Sequence, residues 1–143
     1  MEYVLKLAKD KDIDLLIQYK INNILEYADD LSNKEIDKIN KYVKDNVSKK
    51  IDNYKMIVID NKIVGCLLVE NYLDGSLLDE IYLDSDYRHK GIGTSIIKGI
   101  LKDNNIVYLW VYKANKVAFN LYISLGFSVI DETDYRYFMK FIN

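Results

Sequence analysis

The sequence predicts a mixed α/β fold, a sheet with helices on its faces, in the order β-α-α-β-β-β-α-β-α-β-β. Three observations carry that expectation. The apolar period changes from helical to strand-like near Lys55; a glycine pair, Gly91 and Gly93, joins a strand-like run to a helix-like one; and proline is absent from all 143 residues, along with repeats and low-complexity linkers. A chain of this length is expected to form one domain over residues 1–143 and to bury roughly two-thirds of its unfolded surface.

The elements follow in order. "YVLKLA", Tyr3 to Ala8, reads as the first strand. A helix begins near Asp12, with Ile13, Leu16, Ile17, Ile21, Ile24 and Leu25 along one apolar stripe and a solvated polar face. Ser32 followed three residues later by Glu35 is a capping-box signature, and Ile36, Ile39, Val43 and Val47 continue at helical spacing into a second helix. "KMIVID", the turn pair Asp60-Asn61 and "KIVGCLLVENYL" read as a hairpin, because those turn residues tolerate the left-handed backbone that a two-residue connection requires. After "DGS" comes a fourth strand, Leu77 to Asp84. Ile92, Ile96, Ile97, Ile100 and Leu101 mark a helix, and Ile106 to Val111 a fifth strand. Val117, Ala118, Leu121, Tyr122 and Leu125 mark the last helix, with Gly126 as its left-handed cap. "FSVI" and "YRYFMKFI" close the chain as strands.

Composition narrows the function. Twenty lysines and arginines stand against 22 aspartates and glutamates, spread along the chain, so no polybasic stripe points to nucleic acid. No basic leader precedes a long apolar run, and no apolar stretch reaches the roughly 18 residues of a membrane helix, so the expected location is the cytoplasm, away from membranes. Cys66 is the only cysteine and His89 the only histidine, which excludes an internal disulfide and leaves no metal-binding cluster. Within "IVGCLLV", Cys66 reads as a small buried hydrophobe.

The most informative stretch is "DYRHKGIGT", Asp86 to Thr94. Glycines directly before a helix let backbone N–H groups converge where the helix dipole is positive; Arg88 and Lys90 add charge at the rim and Thr94 adds a hydroxyl. Such a turn suits a phosphate, whereas a plain glycine-rich connection with solvated basic residues would look the same in isolation. The spacing is neither that of a P-loop nor that of a dinucleotide-binding turn. It does match Arg/Gln-x-x-Gly-x-Gly/Ala, as Arg88-x-x-Gly91-x-Gly93, and resembles the acetyl-CoA pyrophosphate loop of the GNAT superfamily of N-acetyltransferases. A second segment, "NKVAFNLYISLGF", is similar to that family's Asn-x-x-Ala-x-x-x-Tyr-x-x-x-Gly-Phe pattern through Asn115, Ala118, Tyr122, Gly126 and Phe127. The resemblance extends to the element order of nearly the whole chain and is least specific before Lys55.

The resemblance implies a GNAT-like acyl-CoA N-acyltransferase fold, acetyl-CoA as co-substrate and no metal. It implies that the fourth and fifth strands splay apart, with the pantetheine arm between them on the backbone of Ile81, Tyr82 and Leu83. The pyrophosphate would lie on Arg88, His89, Lys90, Gly91, Ile92, Gly93 and Thr94, with Asn115, Ala118, Phe119 and Tyr122 lining the cofactor. Direct transfer to a primary amine needs an acid and a base. Tyr122 occupies the place of the family's general acid toward sulfur, although its helical position also suits a core aromatic. The base is sought among the adjacent acids Asp79 and Glu80, which a strand sends to opposite faces; Asp79 stands at the place where several members carry a catalytic residue, Glu80 is second, and a water chain is the alternative. His89 is expected to contact phosphate or solvent. Trp110 stands where some protein-acetylating members carry a glutamate base, which argues against that subtype.

The acceptor is expected to be a small-molecule or protein amine. The acids Glu26, Asp29, Asp30, Glu35 and Asp37 would suit a cationic acceptor, or simply a solvated helix junction. A homodimer is compatible with the sequence. The competing function is a non-catalytic acetyl-CoA-binding sensor or interaction module, which shares cofactor binding and lacks turnover; an unrelated α/β domain with a different phosphate ligand is the third reading.

Overall fold

The computed structural model describes residues 2–27 and 31–143. The expected element order is present. Strand β1 (Val4–Leu7) leads through a short 3-10 turn into α1 (Ile13–Tyr27), followed by α2 (Asn33–Lys50), β2 (Tyr54–Ile59), β3 (Lys62–Tyr72), β4 (Gly75–Leu83), α3 (Ile92–Asp103), β5 (Ile106–Tyr112), α4 (Lys116–Ser124), β6 (Ser128–Glu132) and β7 (Arg136–Ile142). The strands form one mixed sheet in the order β1-β2-β3-β4-β5-β7-β6. The β1–β2, β2–β3, β5–β7 and β6–β7 pairs are antiparallel and β4–β5 is parallel.

Local chemistry sets several boundaries. Ser32 caps α2: its side chain accepts the Glu35 N–H at 3.2 Å, and Glu35 Oε1 lies 3.4 Å from the Ser32 amide, closing the capping box. The β2–β3 hairpin turns on Asp60 and Asn61, at φ 50° and 63°, with Ile59 opposite Lys62. These are the dihedrals of a two-residue turn whose twist matches the strands.

The chain divides into two compact units, Met1–Leu68 with Glu80–Asp84, and Val69–Asp79 with Ser85–Asn143. The first is built around Leu16, Tyr19, Val43, Val47, Tyr54, Met56, Cys66, Leu68 and Tyr82, all buried. Here the expected α1 stripe is corrected at both edges. Tyr19 is buried at 4 % exposure, whereas Leu25 is 43 % exposed, because the inward face runs through Leu16 and Tyr19 and a residue one position beyond Ile24 turns about 100° away.

In the second unit, Ile92, Ile96, Ile97 and Leu101 form the buried stripe of α3, and Val107, Leu109 and Val111 alternate inward along β5. The parallel β4–β5 register covers Ser76, Leu77 and Leu78 opposite Val107, Tyr108 and Leu109, while β5 keeps its antiparallel partners on β7 through Tyr112. Val117, expected on the apolar face of α4, is 68 % exposed, and Tyr122 supplies the buried anchor of that helix.

Candidate active site

Between β4 and α3 the chain makes a turn with two left-handed residues, His89 at φ 60° and Gly91 at φ 83°. The Arg88 N–H donates to Ser85 O at 3.3 Å, and the first α3 bond runs from Ser95 N–H to Gly91 O at 3.0 Å. Gly91 is the N-cap of α3 and brings no side chain to it, so the amides of the first turn are left for solvent or a ligand. A Cβ built on Gly91 would have nothing within 4 Å. The glycine therefore serves the dihedral and keeps the approach to those amides open. Arg88 is half-buried, while His89 and Lys90 are exposed, the Lys90 ammonium lying 5.8 Å from the centre of the Tyr87 ring. Backbone donors, a helix start and flanking cations together fit a diphosphate.

Helix α4 is capped at both ends by its own motif residues. Asn115 Oδ1 accepts the Ala118 N–H at 3.2 Å. At the other end Gly126, at φ 104°, lets the Phe127 N–H reach Tyr122 O at 3.0 Å, a Schellman-type closure. Tyr122 is 7 % exposed, its ring edge-on to Phe127 at 5.6 Å, and Phe119 tilts against Tyr137 at 4.9 Å.

Along β4 the side chains alternate as a strand requires. Asp79 and Ile81 are half-buried; Glu80 and Tyr82 are buried, as is Leu83 at the strand end. Glu80 is the centre of a polar cluster in the first unit. Its Oε1 accepts the Tyr54 hydroxyl at 2.7 Å and lies 3.7 Å from Lys20 Nζ, and its Oε2 accepts the Cys66 thiol at 3.2 Å. Lys20 Nζ also donates to Asn46 Oδ1 at 2.7 Å. Burial, then the Glu80 carboxylate beside it, pushes the Cys66 thiol well up, with Lys20 acting in the opposite sense. Tyr82 stacks on Tyr19 at 4.7 Å and its hydroxyl lies 3.4 Å from Asn22 Nδ2. Burial first, and then Asp84, raises the Tyr19 phenol above its usual range.

Sequence reasoning placed Glu80 on β4 but not Tyr54, Cys66 or Lys20 around it. The only local hint was a glutamate on the apolar side of the β4 alternation, which demands compensating donors without naming them. Of the acids near the first two helices, Asp29 and Asp30 lie outside the described residues, and Glu35 is engaged in the α2 cap. Trp110 stacks on Phe138 at 4.5 Å beneath the Arg136 guanidinium, 4.7 Å from its ring centre.

Residues 52–129 match the family model for the acetyltransferase (GNAT) domain. The chain belongs to the GNAT acetyltransferase family. Its co-substrate as a GNAT protein is acetyl-CoA. Similar solved structures include the PaiA N-acetyltransferase of Thermoplasma acidophilum in complex with coenzyme A, with 21 % identity, TM-score 0.80 and full coverage of both chains. Others are PH1933 of Pyrococcus horikoshii, with 22 % identity, TM-score 0.73 and 99 % of each chain covered, and Ard1 of Thermoplasma volcanium, with 17 % identity, TM-score 0.72 and coverage of 99 % and 98 %. At these identities the likeness establishes the GNAT fold. A sequence search among curated proteins finds no match. Among the described residues no group of three or more His, Cys, Asp or Glu is placed to hold a metal, and no helix is long and apolar enough to cross a membrane.

Proposed function

We propose that the chain, working as one acetyltransferase domain over residues 1–143, transfers an acetyl group from acetyl-CoA to a primary amine of a small molecule or protein in the cytoplasm. The observation that carries this reading is the turn at Arg88 to Thr94, where Gly91 at φ 83° opens α3 without a capping side chain. In this reading the first-turn amides, with Arg88, His89, Lys90 and Thr94, hold the pyrophosphate. The backbone of Ile81, Tyr82 and Leu83 holds the pantetheine arm, and Asn115, Ala118 and Phe119 line the cofactor.

Bound acetyl-CoA supplies an acetyl thioester with a thiol leaving group. Tyr122 acts as general acid toward the departing sulfur; its ring, fixed against Phe127, would hold the hydroxyl in one orientation. One of the two β4 acids, Asp79 or Glu80, receives the amine's proton, and their opposite faces mean that a single one serves.

The test is a screen of small amines and lysine peptides with acetyl-CoA, following free thiol, beside thermal melts. Acetyl-CoA is expected to raise the melting temperature far more than ATP does, and at least one amine to release thiol. Equal stabilisation by ATP would overturn the reading, whereas binding with no turnover on any amine would make the protein a cofactor-binding module.

A further inference from the structure

One face of β5 and β7, within the second unit, carries a row of aromatic rings with a cation at each end. The register sets Tyr108 opposite Lys140, Trp110 opposite Phe138 and Tyr112 opposite Arg136, so these side chains share the face that Val107, Leu109 and Val111 do not use. Phe138 stacks on Tyr108 at 5.6 Å and on Trp110 at 4.5 Å, and Tyr72 meets Tyr108 and Phe138 edge-on at 5.4 and 6.2 Å, so the rings hold one another in place. The two cations are served differently. Lys140 lies 5.3 Å over Tyr108, whose hydroxyl donates to Asp74, so that end already has its acid. Arg136 lies 4.7 Å over the Trp110 ring, and among the described residues no carboxylate pairs with its guanidinium and nothing accepts the indole N–H. Its backbone is pinned to the β6–β7 turn, with its N–H donating to Thr133 Oγ1 at 3.0 Å and its carbonyl accepting the Thr133 N–H at 2.8 Å. A half-buried indole and an exposed guanidinium thus stand together as donors without an acid. Stacking on the ring orients the guanidinium plane and leaves its N–H edges to a planar anion.

The paired residues of β4 and β5 end at Leu78 and Leu109, whereas β5 continues to Tyr112, so Trp110 is the first β5 residue past that pairing. We propose that Arg136, held over Trp110, determines acceptor specificity, and that the acceptor is an amine carrying a carboxylate, its anionic end docked on the guanidinium and its amine toward the β4 side of Trp110. The proposal rests on the acetyl-transfer reading for the thioester, which lies where β4 and β5 part, and on the contacts of the second unit alone for the anion site. One guanidinium without an acid matches one carboxylate charge. A phosphate dianion would call for a second cation, and Lys113 and Lys140 are engaged by Glu132 and by Tyr108. A polyamine or an aminoglycoside would instead bring a like charge to Arg136.

Trp110 is the single tryptophan of the chain, so indole fluorescence reports occupancy of this site whether or not acetyl transfer takes place. The parent chain, Arg136→Met and Arg136→Lys are titrated with ε-aminocaproate, L-leucine, n-hexylamine and hexamethylenediamine, without and with coenzyme A, and kcat and KM are then measured for the same amines with acetyl-CoA. At least one carboxylated amine is expected to change the parent's fluorescence saturably, and hexylamine and the diamine are not. Arg136→Met should abolish that response and raise KM for the carboxylated amine by about 10–100-fold, with kcat and acetyl-CoA affinity nearly unchanged, as expected when an interaction common to ground and transition states is removed. Arg136→Lys keeps the charge without the planar fork and should fall between the two, which keeps the test open if Arg136→Met fails to fold. No response of the parent to either carboxylated amine, an equal response to hexylamine, a preference for the diamine in turnover, or a parental response in Arg136→Met would each overturn the proposal. Absent acetyl-CoA binding by the parent chain is the separate failure of the acetyl-transfer reading, and the fluorescence titration still decides the anion site.

Discussion

Gly65 and Tyr82 are in close backbone contact: a Cβ built on Gly65 would stand 2.0 Å from the Tyr82 carbonyl oxygen and 3.0 Å from its carbon. Nearby, the Asp84 N–H donates to Val64 O at 2.8 Å, a backbone bond that holds β3 against the end of β4. Gly65→Ala can be accommodated only by moving that end of β4, because the obstructing atoms are backbone and cannot rotate aside. The expected loss is about 3 kcal/mol, read from urea unfolding, together with weaker acetyl-CoA binding, since Ile81 to Leu83 belong to the displaced segment. An alanine variant with parental stability would show that β3 and β4 separate freely here.

Gly91 offers the opposite case, a glycine with open space around it and a left-handed backbone. Gly91→Val should cost about 1–2 kcal/mol for the dihedral alone. Its effect on acetyl-CoA is expected to be larger, more than tenfold in Kd, because the new side chain enters the space through which the first-turn amides of α3 are approached. Calorimetric titration beside thermal melts separates the two effects.

For Tyr122, replacement by phenylalanine keeps the ring that packs on Phe127 and removes the hydroxyl. Fold and acetyl-CoA affinity should survive. The rate should not: general acid catalysis is typically worth 10²–10⁴-fold, and a thiol leaves tolerably well without a proton, so kcat is expected to fall by about 10²–10³-fold. Parental turnover in Tyr122→Phe would reduce the residue to a core aromatic.

The polar cluster of the first unit also sets an alkaline limit. Burial, and then the Glu80 carboxylate, pushes the Cys66 thiol well above the ordinary thiol range, and burial likewise raises the Tyr19 phenol above its usual range. Both are neutral in the folded state where the unfolded chain would already ionise. The stability they contribute is complete below pH 9 and is lost as the pH rises toward their folded-state values, at up to about 1.4 kcal/mol per pH unit for each group. Unfolding free energies measured from pH 7 to 11 should fall above pH 9, and Cys66→Ala should flatten the first part of that decline.

Local sequence accounts for the order of elements, the Asp60-Asn61 hairpin, the Ser32 and Glu35 cap of α2, the apolar stripe of α3 and the glycine end of α4. Each of these depends on residues within about one helical turn or one strand of each other, where period, capping and left-handed tolerance act directly. The Arg88 to Thr94 turn was legible for the same reason: its glycines, its cations and the helix it opens are contiguous. Long-range packing, by contrast, is what makes Tyr19 core and leaves Leu25 exposed, and what brings Tyr54, Cys66 and Lys20 to Glu80. Periodicity marks a face as apolar but is silent about which distant side chains arrive opposite it. A buried carboxylate takes its charge and orientation from those arrivals, which depend on how α1, β2 and β3 pack over β4 and on no local feature of any of them.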